Sequence, residues 1–226
     1  MSAFTDEVVR ICTEELELFE RGKLQEYDKK VYRRVGEYWD ALAKIERYKQ
    51  WKGYNGRSDT KLELDGNGNV LKVVSDDNQP LSAAFISWVG RTAGGGESFQ
   101  YAPSHSLYIV KALQEAKNSA STAKFIARRH KSYAPRIGDL IACERRKMDD
   151  ANFDTYIDFV ASGRYEAHCD FVIGLNDKKT RAITVGGNVG NSVSQKEWPL
   201  DENGRIGDRD PTSKIASVIC IIECRL

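Results

Sequence analysis

The hydrophobic pattern of this chain changes along its length, and the order of the change limits the fold classes that are open to it. Segments with apolar residues at helical spacing come mostly first, at 5–20, 26–48, 80–93, 104–117, 122–130 and 152–161. Short apolar or alternating runs typical of strands come mostly last, at 140–143, 168–175, 181–185, 193–198 and 214–224. Helices followed by strands predict an α+β protein with a small antiparallel sheet.

Length and turn-forming segments divide the chain into three parts. With 226 residues, the chain is long enough for one medium domain. We predict an N-terminal helical hairpin over residues 1–50 and a domain with the candidate catalytic residues over residues 80–226. Residues 51–79 are rich in Gly, Asn and Asp and are predicted to form a connecting loop or hairpin. Their centre, DGNGN at 65–69, resembles half of a calcium loop but lacks the downstream Glu that such a loop needs.

Composition excludes several functional classes. The net charge is +1 and 30% of the residues are charged, so no overall field favours a nucleic-acid partner. No apolar run reaches the roughly 20 residues of a membrane span, and the first residues lack the basic start and apolar core of a secretory signal. We therefore expect a protein that is cytoplasmic as synthesised, or that leaves the cell by a route without a cleaved signal. The five cysteines are scattered and lack CxxC spacing, so we expect no disulfide framework, no metal and no cofactor.

Although the net charge of the chain is close to zero, two stretches are locally basic, at residues 128–131 and 145–147. Runs of this kind are usually solvated surface, and that is the prediction here. An acidic ligand or polymer is the alternative. His130 lies inside the first stretch and is therefore predicted to be at the surface.

Ser82 lies at the start of the apolar helix predicted over residues 80–93, two positions after Pro80, a residue suited to the first helical turn. Free backbone N–H groups and the helix dipole at such a position stabilise a developing negative charge and can form part of an oxyanion hole. A serine also needs a base, because its hydroxyl is a weak nucleophile at neutral pH. Ser82 is therefore a candidate nucleophile, with helix capping as the alternative.

His168 is the candidate base for Ser82, with a structural role in the core as the alternative. Asn188 follows a Gly-Gly pair on the next strand and is predicted to orient the imidazole, with a turn role as the alternative. Asp170 shares a strand face with His168, but two residues along a strand is too far for an ideal contact. His105, which follows Ser104 at a predicted helix start, is a further candidate site residue.

Four motifs, taken in order, resemble a known family. They are PLSAAFISW at 80–88, PRIGDLI at 135–141, HCDFV at 168–172 and VGGN at 185–188. The first resembles the nucleophile helix of CHAP-type amidohydrolases, with Ser82 where those enzymes usually carry cysteine, and the others resemble the strands that follow it. Together with SHSLYI at 104–109, the set more closely resembles a bacterial family of unknown function in the papain-like superfamily, which carries serine at this position. The resemblance covers about residues 80–226.

This resemblance implies a papain-like fold in which Ser82 is the nucleophile, His168 the base and Asn188 the orienting residue. Residues in supporting or substrate-binding positions would be His105, Asp170, Ser104 and Trp88. The implied enzyme is a hydrolase that cleaves an amide bond in peptidoglycan peptides, of the antibacterial effector or endolysin type, with an immunity or secretion protein as a candidate partner. Two alternatives stay open. One is a catalytically inactive papain-like module that binds a glycan, peptide or protein, and the other is an esterase or lipase on the same scaffold.

Overall fold

The computed structural model describes residues 2–26, 28–45, 47, 60–64, 70–75, 81–119, 121–145, 153–154, 156 and 165–226. Within these ranges there are four α-helices: α1 (Ala3–Leu18), α2 (Tyr32–Ala43), α3 (Ser82–Thr92) and α4 (His105–Lys117). The strands are β1 (Thr60–Leu64), β2 (Val70–Ser75), β3 (Phe125–Arg128), β4 (Leu140–Glu144), β5 (Ala167–Leu175), β6 (Arg181–Gly186), β7 (Ser194–Pro199) and β8 (Ser217–Cys224). The predicted α+β class is confirmed.

Six of the strands form one open antiparallel sheet in the order β3-β8-β4-β5-β6-β7. The last strand, β8, lies between β3 and β4, so the end of the chain pairs with two segments from its middle. The helix predicted over 122–130 is wrong, because Phe125–Arg128 pairs with β8 and thereby satisfies its backbone groups in the sheet.

The segments around the predicted connection and the predicted short helix are only partly described. β1 and β2 form a separate antiparallel pair, while the predicted turn at residues 65–69 lies outside the described residues. The helix predicted over 152–161 also lies largely outside them. No helix in the described part of the chain is long and apolar enough to cross a membrane.

Helix α3 lies at the centre of the hydrophobic core. Its apolar side chains, including Phe85, Ile86 and Val89, are fully buried. It packs against α2 on one side and against β5 and β6 on the other, and α1 contacts both α3 and β5. Burying one such side chain contributes about 1.5–3 kcal/mol to stability, so the N-terminal end of α3 is firmly fixed beside β5.

Candidate active site

Ser82 is the first residue of α3 and is 1% exposed. The first hydrogen bond of this helix end runs from the Phe85 N–H to the Leu81 carbonyl at 2.8 Å, so the preceding N–H groups have no partner inside the helix. Ser82 does not cap the helix. Its hydroxyl turns instead towards two imidazoles, one from the sheet and one from α4.

Nδ1 of His168, on β5, lies 2.9 Å from Ser82 Oγ, and Nε2 of His105, at the start of α4, lies 2.5 Å from it. Both rings are buried and meet edge to face, with centroids 5.3 Å apart. The structure therefore brings together three residues that the sequence analysis placed on three separate elements.

Asp170 holds His168 from the other side of the ring. Its Oδ1 lies 2.7 Å from His168 Nε2, so the expectation that Asp170 is too distant is wrong. The reason is the space left by Gly186 on β6, where a Cβ would lie 1.7 Å from that carboxylate oxygen. At Gly187 a Cβ would lie 2.5 Å from Leu81 Cδ1. The Gly-Gly pair thus lets β6 approach both the imidazole and the start of α3.

A buried ion-pair network fixes Asp170 in turn. Nζ of Lys196, on β7, lies 3.1 Å from Asp170 Oδ2 and 2.8 Å from Asp210 Oδ2. Asp210 also accepts hydrogen bonds from the Thr212 N–H and hydroxyl, at 2.8 and 2.6 Å. All three charged side chains are buried. Within this surrounding, Asp170 favours a proton on the imidazole of His168, whereas the cations of Lys196 and Arg145 oppose it.

Burial and these neighbours set the protonation states. Although burial opposes ionisation of Asp170, the adjacent His168 and Lys196 hold the pKa of its carboxyl well below the ordinary value. Burial lowers the pKa of His168 below its ordinary 6.5, and Asp170 opposes this shift. Burial also lowers the pKa of His105 well below 6.5, and the neighbouring His168 adds to the effect. At neutral pH the carboxylate is therefore ionised and both imidazoles are neutral.

These protonation states fix the direction of each hydrogen bond. An ionised carboxylate only accepts, so His168 Nε2 donates to Asp170 and His168 Nδ1 keeps its lone pair. The Ser82 hydroxyl donates to that lone pair, and its oxygen accepts from the N–H at His105 Nε2. The Tyr108 hydroxyl contacts His105 Nδ1 and donates to it. In the series from Tyr108 through His105 to Ser82, each group donates to the next, so the Ser82 hydroxyl proton is directed towards His168.

Two cavities flank this group. The first, called the Ser82 cavity, has a volume of about 300 Å³ and is lined by Ser82, Ser104, His105 and Arg145 among others. The second, called the Asn188 cavity, has a volume of about 260 Å³ and is lined by His168, Asn188, Lys196 and Arg145 among others. The group is therefore accessible to a ligand although its side chains are mostly buried.

Asn188 lines the same cavity as His168, but no described hydrogen bond joins the two side chains. Its backbone is left-handed, with φ of 58°, and it lines the Asn188 cavity next to His168. The oxygen that contacts His168 Nε2 belongs to Asp170, so the structure gives Asp170 the orienting position that the resemblance implied for Asn188. The physical reason is that Asp170 reaches the ring through the space at Gly186.

Ser104 and Trp88 have different positions relative to the site. Ser104 lines the Ser82 cavity, and its hydroxyl lies 3.0 Å from that of Ser106. Trp88 is six residues beyond Ser82 on α3, which places it roughly 240° around the helix. Its ring packs on Tyr38 at a centroid distance of 5.0 Å, with the Arg34 guanidinium over it. Trp88 therefore faces α2 and lines neither of the two cavities.

Residues 26–218 match a family model described as an uncharacterised protein conserved in bacteria, DUF2272. The chain belongs to this family. No curated protein and no solved structure shows significant similarity to it. The matched region of this DUF2272 member contains the whole candidate site, from Ser82 to Asp210. The predicted membership of a bacterial family of unknown function is confirmed, and the papain-like relationship remains a proposal.

Four residues that contribute to the DUF2272 site were given no role in the sequence analysis: Tyr108, Arg145, Lys196 and Asp210. Lys196 and Asp210 are distant in sequence from Ser82 and reach the site only through the tertiary fold. Tyr108 contacts His105 because the two residues lie one helical turn apart on α4. Arg145 carried a signal, since it belongs to one of the two basic stretches. His130 from the other stretch is buried and lies 2.8 Å from Asp208, so its predicted surface position is wrong.

Within the part of the chain that the structure describes, no group of three or more His, Cys, Asp or Glu side chains is arranged to hold a metal ion. The five cysteines are free thiols, and four of them are buried. Burial raises the pKa of Cys169, next to His168, well above its ordinary value, and this thiol is not a nucleophile for the site. The chemistry available from the described side chains is that of a serine, two neutral imidazoles and an ionised carboxylate.

Proposed function

We propose that this protein is a hydrolase that uses Ser82 as its nucleophile and cleaves an amide bond in peptidoglycan peptides. The observation that carries the proposal is the hydrogen-bonded series Ser82 Oγ, His168 and Asp170, with distances of 2.9 and 2.7 Å. A nucleophile, a base within hydrogen-bond reach and a carboxylate that orients the base are the three parts that serine-dependent acyl transfer requires.

The reaction proceeds in two halves. As Ser82 Oγ attacks the carbonyl carbon, His168 Nδ1 takes the hydroxyl proton and the imidazolium is stabilised by Asp170. His168 then gives the proton to the leaving nitrogen, and an acyl-Ser82 ester remains. A water molecule attacks this ester while His168 accepts one of its protons. His168 then returns that proton to Ser82 Oγ as the bond to the acyl carbon breaks, which restores the hydroxyl and frees the carboxylic acid product.

The negative oxygen of each tetrahedral intermediate has donors nearby. The N–H groups at the start of α3 have no partner within the helix, and the N–H at His105 Nε2 already points at Ser82 Oγ. In a buried site, each donor of this kind stabilises the transition state by about 2.7–4 kcal/mol when it hydrogen-bonds to the developing oxyanion. His105 is therefore assigned to charge stabilisation rather than to proton transfer.

The assembled network favours an enzyme over an inactive binding module. A module that only holds a ligand does not need an ionised carboxylate buried beneath an imidazole, and burying charged groups is costly unless they are paired. The substrate class rests on other grounds, namely the resemblance to papain-like CHAP amidohydrolases and the bacterial distribution of the family. An esterase with the same residues is the second candidate, since a serine nucleophile suits ester cleavage equally well.

The test is digestion of purified peptidoglycan by the wild type, Ser82→Ala and Ser87→Ala, with products separated and weighed by mass spectrometry. Ser87 is the matched control, because it is a buried serine on the same helix and its hydroxyl bonds to the Ala102 backbone at 3.0 Å. We expect new muropeptides from the wild type and Ser87→Ala only. Products that persist in Ser82→Ala would remove Ser82 from the mechanism.

A fluorophosphonate probe separates the nucleophile from the substrate. It reacts with a serine hydroxyl that a base has activated, whatever the natural substrate is. Labelling of Ser82 without peptidoglycan products would support the proposal of a serine hydrolase but reject peptidoglycan as its substrate class. Folded protein that neither labels nor digests would favour the binding module.

A further inference from the structure

Arg145 directly follows β4 and lies against the base of the site. Its backbone N–H donates to the Glu166 carbonyl at 3.0 Å. One guanidinium nitrogen lies 3.1 Å from His168 Nδ1. The lone pair of this same nitrogen accepts the hydrogen bond from the Ser82 hydroxyl. The side chain is half-buried and lines both the Ser82 cavity and the Asn188 cavity. Arg145 is therefore the described residue that lines both cavities.

Among the described residues, the carboxylates around Arg145 are engaged elsewhere or lie beyond ion-pair distance. Asp170 and Asp210 are both engaged with Lys196, at 3.1 and 2.8 Å. Glu166 lines the Ser82 cavity but is exposed and has another contact. Among the residues that the structure describes, no carboxylate lies within ion-pair distance of the Arg145 guanidinium, and its side-chain hydrogen bond is to His168.

A cation in this position has a cost for the free enzyme. It competes with Ser82 for the lone pair of Nδ1, and it disfavours the positively charged imidazolium on which base catalysis depends. Both effects are relieved when an anion binds the guanidinium and draws it away from the ring. An Arg fork suits a planar carboxylate, which it can bind through two parallel hydrogen bonds.

We propose that Arg145 is the specificity residue of the site and binds a free carboxylate of the peptide substrate, next to the scissile bond. This inference rests on the proposed function and adds the chemical class of group that the site selects. The Arg145 guanidinium, shared by cavities of about 300 and 260 Å³, suits one carboxylate of a short peptide. It does not suit the repeated charges of a nucleic acid, which need an extended basic surface.

The experiment measures binding rather than turnover, in the Ser82→Ala background, by isothermal titration calorimetry. Three forms of one wall-type peptide, N-acetyl-L-Ala-γ-D-Glu-L-Lys, serve as probes: the Glu α-carboxylate free, the C-terminal carboxylate free, and both amidated. We expect one monocarboxylate form to bind on the order of tenfold tighter than the fully amidated form.

That preference should disappear when Arg145→Gln is added and should persist when Arg181→Gln is added. Arg181 is the matched control, because it is exposed on β6 and lines neither cavity. Arg145→Lys keeps the charge without the fork, so it should retain a smaller preference, and it also serves if Arg145→Gln fails to fold. Equal affinity for all three peptides, a preference that survives Arg145→Gln, or no binding of any peptide to folded protein would each overturn the inference.

Failure of this inference is distinguishable from failure of the proposed function. The binding assay needs no activity, because the nucleophile has been removed. The proposed function fails through the absence of Ser82 labelling and of Ser82-dependent products. A Ser82-dependent hydrolase with no carboxylate preference would therefore leave the proposed function intact and remove Arg145 from substrate recognition.

Discussion

Replacing Gly186 by Ala tests the site through a residue that is not itself reactive. A Cβ at this position would lie 1.7 Å from Asp170 Oδ1, and contacts under 3.0 Å essentially never occur. The carboxylate must therefore move by at least about 1.3 Å. Because Oδ1 is also the atom that accepts the 2.7 Å hydrogen bond from His168 Nε2, this movement would disturb the geometry of the bond that holds the imidazole.

The expected consequence is a loss of reactivity at Ser82 of about 100-fold, the scale that a displacement of about 1 Å commonly produces in a catalytic group. His168 would no longer be held with its lone pair towards the Ser82 hydroxyl. The assay is the rate of fluorophosphonate labelling, followed by intact-protein mass spectrometry. Overpacking of a buried site also costs about 1–3 kcal/mol of stability, so labelling is measured well below the melting temperature of the variant.

Gly174→Ala is the matched control for this prediction. Gly174 lies on β5, the strand that carries His168 and Asp170, and a Cβ there would meet nothing within 4 Å. Its labelling rate should stay within about twofold of the wild type, because nothing has to move. If Gly186→Ala also labelled at the wild-type rate while folded, the contact between Asp170 and His168 would not be needed to activate Ser82.

Two further measurements test the protonation states and hydrogen-bond directions. Tyr108→Phe removes the donor to His105 Nδ1 and frees that ring to change tautomer, so Ser82 labelling should slow by about tenfold, the worth of one buried hydrogen bond. Tyr101→Phe is its control, since the Tyr101 hydroxyl has no hydrogen-bond partner among the described residues, and equal rates in the two variants would contradict the assignment. Because burial lowers the pKa of His168 and the base acts only when neutral, wild-type labelling should be full above pH 6.5 and be lost as the pH falls through a midpoint below 6.5. A midpoint above 6.5 would show that the folded protein stabilises the imidazolium instead.

The parts of the fold that sequence predicted well are those with local causes. Helix α3 was predicted from an apolar run after a proline, and β5 and β8 from runs of alternating or continuous apolar residues. Residues 125–128 were predicted as part of a helix over 122–130, although Phe125 and Ile126 are residue types enriched in strands. Their strand state depends on pairing with Cys224 to Ile221, a partner about a hundred residues away that local patterns do not contain.

The same distinction applies to the site. Ser82, His168 and the Gly-Gly pair stood out because each sits in a recognisable local motif. Asp170 was judged by the separation of residues along a single strand, without the space that Gly186 provides on the neighbouring strand. Lys196 gives no sequence signal at all, since its role comes from a register that sets β7 beside β6 and β6 beside β5.

The serine at position 82 and the carboxylate at position 170 explain each other. A serine hydroxyl is much less acidic than a thiol, so an imidazole that removes its proton gains from stronger stabilisation of the imidazolium. An amide such as that of Asn188 offers only a dipole, whereas an ionised carboxylate at 2.7 Å offers a full charge. Lys196 keeps that carboxylate ionised, and Asp210 balances the ammonium, so the network as a whole stays negative. If the proposed papain-like relationship holds, serine in place of the usual cysteine would therefore go together with a carboxylate in place of the usual amide.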